Sequence, residues 1–519
     1  MRESQIGWIK KAVEICIHSA EMDEKQHQTE IQVLEQQYLT FTGEEQDDIH
    51  NILKEQFQMQ DVVYILSYLI QNMKIEKLGV ELIQDILECD VDYYIMSMLK
   101  CQLISTFGRD YEDYGLARKF LRKSVAEAQK VIRVPRAYIP LEQRNARRIV
   151  ITAGQLLGLR HAPTKMILEM AYVLQEKMGY EIFILVCPCD MELPWDLWYR
   201  PYREMAEEDL KNRNFKMRYK DTGFFCAQIN MYVGNYSKYE DVISWIYDWN
   251  PLFVLNMGTT NPVVELMENF TSLVSREMSS NCPVSEGEIL LRTVRKSEEA
   301  EREYSRYIGK WQSQLFLKER FPVVVQRGES KCSREEENLP TDKFLIAIVG
   351  NRLDEEIDQN FVYVMKNIME REERADFVII GDVEKVKHIF SEDRYADRIF
   401  YLGYRKNLPE TYGMLDLYLN PKRNGGGWSA SIALQMGLPV VSLPDCDVAS
   451  NVGENFVVND YDEMINMVCR YATDISFYTE KQRQAADVAQ NAEKKLDNYV
   501  KDMLDGIVTI LKEKANDTI

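Results

Sequence analysis

Residues 420–431, NPKRNGGGWSAS, combine three consecutive glycines with two cations. The stretch lies between the apolar run LDLYLNP and the segment IALQMG, a pattern that predicts a strand, a turn and a helix. Glycines let a backbone approach a ligand closely, and the first N–H groups of a helix attract anions. The spacing therefore predicts an anion site at which Lys422 and Arg423 add charge. A βα loop capped by a serine explains the pattern about equally well.

The glycine stretch is not one of the common phosphate loops. Neither the Walker pattern GxxxxGK[ST] nor the dinucleotide pattern GxGxxG occurs in it. Ser429 and Ser431 follow the glycines, where a serine either caps the helix or donates a hydrogen bond to a phosphate oxygen. The sequence leaves both roles open.

A second candidate group follows an earlier apolar run, RRIVITAG. His161 lies between this predicted strand and a predicted helix that begins within APTKMILEM. Imidazole has an unperturbed pKa of about 6.5, so His161 is a candidate for acid–base chemistry or for contact with a diphosphate. A surface or structural histidine is the alternative. Thr164 and Lys165 either cap the helix or touch phosphate.

Glycines at predicted strand ends are candidates for an acceptor side of the site. Gly154 and Gly158 follow the first strand, and Asn256, Gly258 and Thr259 lie in LNMGTTNP after another. A ligand that must approach the backbone explains these residues, and turn geometry explains them as well.

Alternating strands and helices must position these loops. The pattern begins at residue 147, and RFPVVVQ is predicted as a further strand of the first half. A polar stretch, RGESKCSREEENLPTDK, then reads as a linker. The pattern restarts at FLIAIVG. We therefore expect an α/β protein with two doubly wound, Rossmann-like domains that face a cleft, where ligands bind at the carboxyl ends of the strands.

Residues 1–140 carry apolar side chains at three- and four-residue spacing, with almost no glycine or proline. This favours an all-α domain, as a bundle rather than a solenoid, for acceptor recognition or oligomerisation. The expected organisation is a helical domain at 1–140, an acceptor-side domain at 141–326 and a linker at 327–342. It continues with a nucleotide-sugar domain at 343–490. A C-terminal helix at 491–519 then packs back across the domains.

Composition excludes several classes of protein. The net charge of −20 over 519 residues argues against a nucleic-acid-binding protein, since phosphate backbones require a cationic face. The N-terminus lacks the uninterrupted apolar stretch of a signal peptide, and the longest apolar run, DVVYILSYLI, is too short to span a bilayer. We therefore predict a cytoplasmic protein without a transmembrane segment. The ten cysteines are scattered, which favours reduced thiols.

Two DxD sequences raise the possibility of a metal site. Asp90-Val91-Asp92 lies among predicted helices, where a chance match is the simpler explanation. Asp445-Cys446-Asp447 follows a strand near the glycine stretch. We expect neither a catalytic metal nor a cofactor.

The glycine stretch and its surroundings resemble the donor-binding unit of GT-B glycosyltransferases. NPKRNGGGWSASIALQMGLPVVSLP is similar to their diphosphate loop, AIVGNRL to the segment that brings an arginine to the diphosphate, and RIFYLGYRKNLPETYG to the base-binding segment. DVASNVG and HAPTK resemble loops of the O-linked N-acetylglucosamine transferase group and its bacterial protein-glucosyltransferase relatives. The resemblance covers roughly residues 147–512.

The resemblance implies roles for individual residues. Catalytic roles fall on His161 and Arg352, and the acceptor side is formed by Gly158, Thr164, Asn256 and Gly258. The donor-binding residues would be Asn351, Gly403, Tyr404, Lys422, Arg423, Asn424, Gly425, Gly426, Gly427, Trp428 and Ser429.

Two departures from the family pattern leave the stereochemistry open. Many retaining GT-B enzymes carry two glutamates seven residues apart around this loop, where this chain has Asn424 and Ile432. The lysine that follows the GRL pattern in related enzymes has no counterpart in GNRLDEEID.

The resemblance implies a metal-independent hexosyl or N-acetylhexosaminyl transferase. It would move a sugar from a nucleoside-diphosphate sugar, a UDP-sugar by expectation, to a hydroxyl or amide of a protein or glycan acceptor. The alternatives are a non-catalytic glycosyltransferase-like partner subunit and a nucleotide-sugar 2-epimerase. The protein could form a homo-oligomer or a complex with a partner glycosyltransferase subunit under any of these three interpretations.

Overall fold

A computed structural model gives the fold of the protein. It describes residues 2–91, 96, 99, 102–103, 106, 114–135, 137–158, 161–187, 213–229, 236–258, 261–278, 282–293, 298–317, 321–324, 332–423, 425–444, 446–489 and 492–517. These ranges form a helical region followed by two mainly parallel sheets.

The helical region is built from amphipathic helices with local caps. Asp23 accepts a hydrogen bond from the N–H of Gln26, and Thr42 and Glu45 form a capping box, so two of the helices have fixed starting points. The helices are α1 (Arg2–His18), α2 (Glu24–Thr40), α3 (Gly43–Gln56), α4 (Met59–Met73), α5 (Glu76–Glu88) and α6 (Tyr114–Val131).

The first sheet is parallel apart from one edge strand. Its strands are β1 (Asn145–Ala153), β2 (Glu181–Val186), β3 (Arg213–Tyr219), β4 (Thr222–Gln228), β5 (Pro251–Met257), β6 (Leu273–Arg276), β7 (Ile289–Arg292) and β8 (Ser313–Phe316). Their order is β3-β4-β2-β1-β5-β6-β7-β8, with β3 antiparallel to β4. Helices α7 (Ala162–Tyr172), α8 (Ser237–Trp249), α9 (Pro262–Glu265) and α10 (Glu298–Tyr307) connect them.

The second sheet is entirely parallel. Its strands are β9 (Phe344–Val349), β10 (Ala375–Ile380), β11 (Ile399–Tyr401), β12 (Leu417–Leu419) and β13 (Val440–Val441), in the order β11-β10-β9-β12-β13. The helices are α11 (Leu353–Glu356), α12 (Gln359–Arg371), α13 (Lys385–Phe390), α14 (Leu408–Tyr412), α15 (Gly427–Gln435), α16 (Asp447–Val452), α17 (Tyr461–Thr473), α18 (Ile475–Ala489) and α19 (Ala492–Asp517).

Both faces of the first sheet are covered, which explains its continuous apolar strands. On one face, side chains such as Val150 and Val254 join an apolar cluster with helices α1–α6. On the other face, Ile151 and Leu255 pack with α7 and with the C-terminal helix α19, for example with Val500. The α/β architecture with an all-helical N-terminal region, expected from the sequence, is confirmed.

One predicted strand is wrong. Of the run RFPVVVQ, the structure describes residues 321–324, and these are not in a strand; β8 is the last strand of the first sheet. Phe321 is buried in the apolar cluster of the first domain and Val323 in that of the second. The run is apolar because it passes between two cores, and Pro322 lacks the N–H that a strand would donate.

Two other features were not predicted. The chain forms the antiparallel hairpin β3–β4, and the run NPVVELMENF contains only the short helix α9 followed by a 3-10 turn. Within the described ranges, no helix is both long and apolar enough to span a bilayer.

Candidate functional site

The strand order places two loops side by side in the second domain. Strand β9 is the first in sequence and lies between β10 and β12, so the direction of winding reverses there. Loops that follow strands at such a reversal diverge to opposite sides and leave a crevice at the carboxyl edge. The loop after β9 carries Asn351 and Arg352, and the loop after β12 is the glycine stretch.

The glycine stretch is held in a conformation that only glycine adopts easily. Gly425 and Gly426 have φ of 104° and 80°, in the left-handed region. Gly425 donates its N–H to Asp447 Oδ2 at 2.8 Å. Asp447 therefore fixes the loop, a role that the DxD interpretation missed. Helix α15 begins at Gly427, two residues before the predicted start at Ser429.

The first turn of α15 presents unpaired backbone donors. Gly426 is the N-cap residue, and Ala430 donates the first backbone hydrogen bond, to the carbonyl of Gly426 at 3.1 Å. No described residue accepts a hydrogen bond from the N–H groups of Gly427, Trp428 or Ser429. These groups, with the positive end of the helix dipole, form an anion-binding geometry.

Arg423, which was expected to add positive charge to the anion site, is turned into the second domain. Its guanidinium is buried and donates to Asn420 Oδ1 at 2.9 Å, to the carbonyl of Val349 at 2.7 Å and to the Tyr418 hydroxyl at 2.9 Å. It also donates to Glu356 Oε2 at 2.6 Å. Every acceptor belongs to the second domain, so Arg423 fastens the end of β9 to the glycine stretch instead of facing a ligand.

Glu356 connects this buried arginine to the exposed one. Its second oxygen, Oε1, lies 3.1 Å from Nη2 of Arg352, whose side chain is 41% exposed. A Cβ added to Gly425 would lie 3.3 Å from the same Nη2, so the guanidinium of Arg352 lies against the glycine loop. Lys422 is exposed on that loop. Arg352 and Lys422 are therefore the cations at the open side of the site.

Two donor-binding predictions in α15 are not supported by the side-chain positions. The Ser429 hydroxyl donates to the carbonyl of Gly426 at 2.8 Å, and Ser431 donates to Gly427 at 2.9 Å. Both bonds turn the hydroxyls back onto their own helix. Trp428 is half-buried and packs against the apolar clusters of both domains. Its ring joins the two domains, while its backbone N–H belongs to the first turn of α15.

The predicted base-binding turn lies at the carboxyl end of β11. Gly403 has φ of 62°, and its carbonyl accepts a hydrogen bond from the N–H of Gly381 at 2.9 Å. Tyr404, the next residue, is 43% exposed. The turn is anchored to the loop after β10, which leaves an aromatic side chain at the surface. Asn424 lies outside the described residues.

In the first domain, the reversal of winding falls between β1 and β5. His161 precedes α7 in the loop after β1, and its Nδ1 lies 2.9 Å from the Thr164 hydroxyl. That hydroxyl accepts the N–H of Leu157 at 3.0 Å, so its own hydrogen is available to Nδ1. This arrangement fits a neutral imidazole with its proton on Nε2. Thr164 is fully buried and supports His161 instead of touching a ligand.

The other acceptor-side candidates divide into loop and core residues. Gly158 and Gly258 have φ of 78° and 134°, and a Cβ on Gly258 would lie 3.7 Å from the N–H nitrogen of Gly154. Both loops thus adopt glycine conformations at the carboxyl edge. Asn256 is buried and accepts a hydrogen bond from Thr152 at 3.1 Å, so it is a core residue of the sheet and not an acceptor contact.

His161 makes the site sensitive to pH. Burial lowers the pKa of its imidazole below the ordinary value of 6.5. The unfolded chain therefore takes up this proton first as the pH falls, and the free energy of unfolding decreases below pH 6.5. We expect His161→Gln to weaken this acid-side loss, measured as the midpoint of thermal unfolding between about pH 5 and 8. His388→Gln, at a histidine on α13, is the control; an equal change in both variants would contradict the assignment.

Comparisons with known proteins agree with this geometry. Residues 343–474, which include β9, Arg352 and the glycine stretch, match the family model of glycosyl transferases group 1. Among curated proteins, no sequence match was found.

Solved structures match the whole chain or about 70% of it. A mutant O-GlcNAc transferase of Thermobaculum terrenum superposes with a TM-score of 0.52 at 13% identity, over 99% of each chain. A trehalose-6-phosphate structure from E. coli with bound UDP-2-fluoro glucose gives 0.46 at 11%, over 70% of this chain and 99% of that one. A glycosyltransferase from Rickettsia africae gives 0.46 at 11%, over 69% and 99%. The chain thus has the GT-B fold, and residues 343–474 of its second domain match the model of glycosyl transferases group 1.

Proposed function

We propose that the protein transfers a sugar from a nucleoside-diphosphate sugar to an acceptor. The observation that carries the proposal is the first turn of α15, where unpaired N–H groups follow two glycines with positive φ beside Arg352. This turn lies at the reversal of winding in the second sheet. A diphosphate fits such a site because its oxygens accept hydrogen bonds and carry negative charge.

The same groups support catalysis as well as binding. When the bond between sugar and diphosphate breaks, negative charge accumulates on the departing phosphate. Fixed N–H groups and the guanidinium of Arg352 stabilise that charge without reorganising, which lowers the barrier. The proposal needs no metal ion for this step, because Arg352 and the exposed Lys422 supply positive charge and Asp447 is engaged by Gly425.

His161 is assigned to the acceptor side of the reaction. Burial keeps its imidazole neutral at pH 7, and Nδ1 is turned to Thr164, so Nε2 is the nitrogen available to a substrate. A protonated Nε2 donates a hydrogen bond to a sugar or acceptor oxygen and does not remove a proton. The acceptor's proton then passes to another base, of which the departing phosphate is one.

A UDP-sugar as donor and a protein as acceptor are the finer parts of the proposal. The sequences HAPTK and DVASNVG support them, because they resemble loops of protein-glycosylating enzymes. Residues 1–140 would then recognise the acceptor or mediate oligomerisation. Cytoplasmic localisation belongs to the same proposal.

Turnover of nucleotide sugars tests the proposed function. We would incubate the protein with UDP- and GDP-sugars, with and without a bacterial protein extract, and measure release of the nucleoside diphosphate. Transfer predicts release that depends on the extract and falls about 100- to 1,000-fold in Arg352→Met, the typical cost of one lost transition-state donor. Equal release without an acceptor would indicate a 2-epimerase, and no release with any donor would indicate a non-catalytic partner subunit.

A further inference from the structure

Arg276 is a buried cation that the proposed reaction does not use. It is the last residue of β6, at the carboxyl edge of the first sheet, and only 5% of its surface is exposed. Its backbone carbonyl accepts the N–H of Gly258 at 3.0 Å. Gly258 in turn lies against the loop after β1, so Arg276 borders the acceptor-side loops.

The guanidinium of Arg276 lies between two aromatic rings. Its central carbon is 5.6 Å from the ring of Phe321 and 5.5 Å from the ring of Tyr499 on α19. Nε and Nη1 are fully buried, and no described residue accepts a hydrogen bond from them. The buried Tyr499 hydroxyl lies within reach of this guanidinium and has no other hydrogen-bond partner among the described residues. The two side chains together therefore have no carboxylate or carbonyl acceptor among those residues.

Three other buried arginines of the described chain have acceptors for their guanidinium groups, whereas Arg118 leaves one nitrogen, Nη2, without an acceptor. Arg144 donates to the carbonyls of Ile139 and Leu252, and Arg292 donates to both oxygens of Glu301. Arg423 has four acceptors, including a carboxylate. Arg292 also lies over two aromatic rings, so the difference at Arg276 is that Nε and Nη1 have no acceptor among the described residues. Aromatic faces attract the cation but do not replace those acceptors.

An unpaired buried charge is costly, because it loses its hydration without gaining acceptors. A bound oxyanion would remove this cost. Guanidinium matches the planar pair of oxygens of a carboxylate or phosphate, and a neighbouring tyrosine hydroxyl adds another donor. Phe321, Tyr499 and the half-buried Trp428 belong to one apolar cluster, and Trp428 also packs against the cluster of the second domain.

We propose that Arg276 and Tyr499 form a second anion site, separate from the diphosphate site of α15, which binds a phosphate or carboxylate group. Its place at the acceptor-side edge indicates that the acceptor carries this group, and this part of the proposal rests on the proposed function. A free anion that binds there would satisfy the same chemistry.

Thermal unfolding with inorganic phosphate and with acetate tests the site. Phosphate can also occupy the diphosphate site, so the titration uses Arg352→Met as background and compares it with Arg352→Met/Arg276→Met. We expect one of the two anions to raise the melting temperature by several degrees in the background protein and by less than a third of that shift in the double variant. An equal shift in both proteins, or no shift in the background protein, would overturn the proposal.

A second measurement guards against misfolding of the variant. Without added anions, Arg276→Met removes an uncompensated buried charge, so its melting temperature should equal or exceed that of the wild type. A marked decrease would show that the aromatic contacts of Arg276 are structural, and would count against an anion site.

Competition of the binding anion with the acceptor in the transfer assay would assign the site to an acceptor-borne group. Anion binding without competition would assign it to a free anion. A failure of the proposed transfer would leave the anion-dependent shift intact, which separates the two proposals.

Discussion

Arg423→Met is expected to destabilise the second domain by about 3–5 kcal/mol and to abolish nucleotide binding, although Arg423 is buried. The substitution leaves the Glu356 carboxylate without its 2.6 Å partner and removes the bonds to Asn420 and the Val349 carbonyl. Glu356 would then no longer hold Arg352 against the glycine loop. Urea-induced unfolding measures the stability, and a calorimetric titration with nucleotide measures binding.

Lys422→Met is the matched control for this variant. The two cations are adjacent in sequence, but Lys422 is exposed and Arg423 is buried. We expect Lys422→Met to change stability by less than about 0.5 kcal/mol, as is usual at exposed positions, and to weaken nucleotide binding only partly. If Arg423→Met were as stable as Lys422→Met, the buried network would not hold the loop as described.

Gly426→Ala is expected to prevent the glycine loop from forming. Gly426 has φ of 80°, and an added Cβ would lie 2.6 Å from Nη2 of Arg423 and 2.8 Å from its Cζ. The guanidinium is held by four hydrogen bonds and has no room to move aside. We therefore expect a loss of nucleotide binding together with a loss of stability that exceeds the backbone strain alone.

Gly437→Ala separates backbone strain from this steric clash. Gly437, which follows α15, has φ of 76°, and a Cβ there would meet nothing within 4 Å. Its substitution should cost about 1–2 kcal/mol through the left-handed backbone and leave nucleotide binding unchanged. Equal losses of stability in the two variants, with binding retained in both, would contradict the packing described for Gly426.

The strands of the second domain could be predicted because they are buried on both faces. Runs such as FLIAIVG and ADFVIIG are continuously apolar, and β9 and β10 form within them. The order of strands then follows from a doubly wound topology, which places the loops after β9 and β12 at one crevice. Arg352 and the glycine stretch could therefore be assigned to one site without a structure.

The sequence could not show which of the two adjacent cations faces the site. Lys422 and Arg423 have similar chemistry, and the glycines allow either orientation. The choice depends on Glu356, a residue 67 positions earlier, and on the Val349 carbonyl. Arg352 and Glu356 are four residues apart, a spacing at which a helix brings opposite charges together, so this ion pair could have been predicted.

The strand predicted around Phe321 and Val323 was wrong for a different reason. Periodicity reports burial and not hydrogen bonding, so a segment that crosses between two cores resembles a strand. Arg276 was missed because a single arginine at a strand end gives no pattern; only its burial without acceptors in the folded chain distinguishes it.

Calorimetric titration with UDP and with GDP tests the central claim, that α15 and Arg352 hold the diphosphate of a nucleotide. We would compare the wild type with Arg352→Met and with Arg394→Met, a control at an arginine that pairs with Glu370 at the surface. We expect one of the two nucleotides to bind the wild type and Arg394→Met with equal affinity. Its affinity for Arg352→Met should be at least tenfold lower, since hydrogen bonds to charged groups contribute about 1.5–3 kcal/mol. Equal affinity for all three proteins, or no binding of either nucleotide to the folded wild type, would contradict the account.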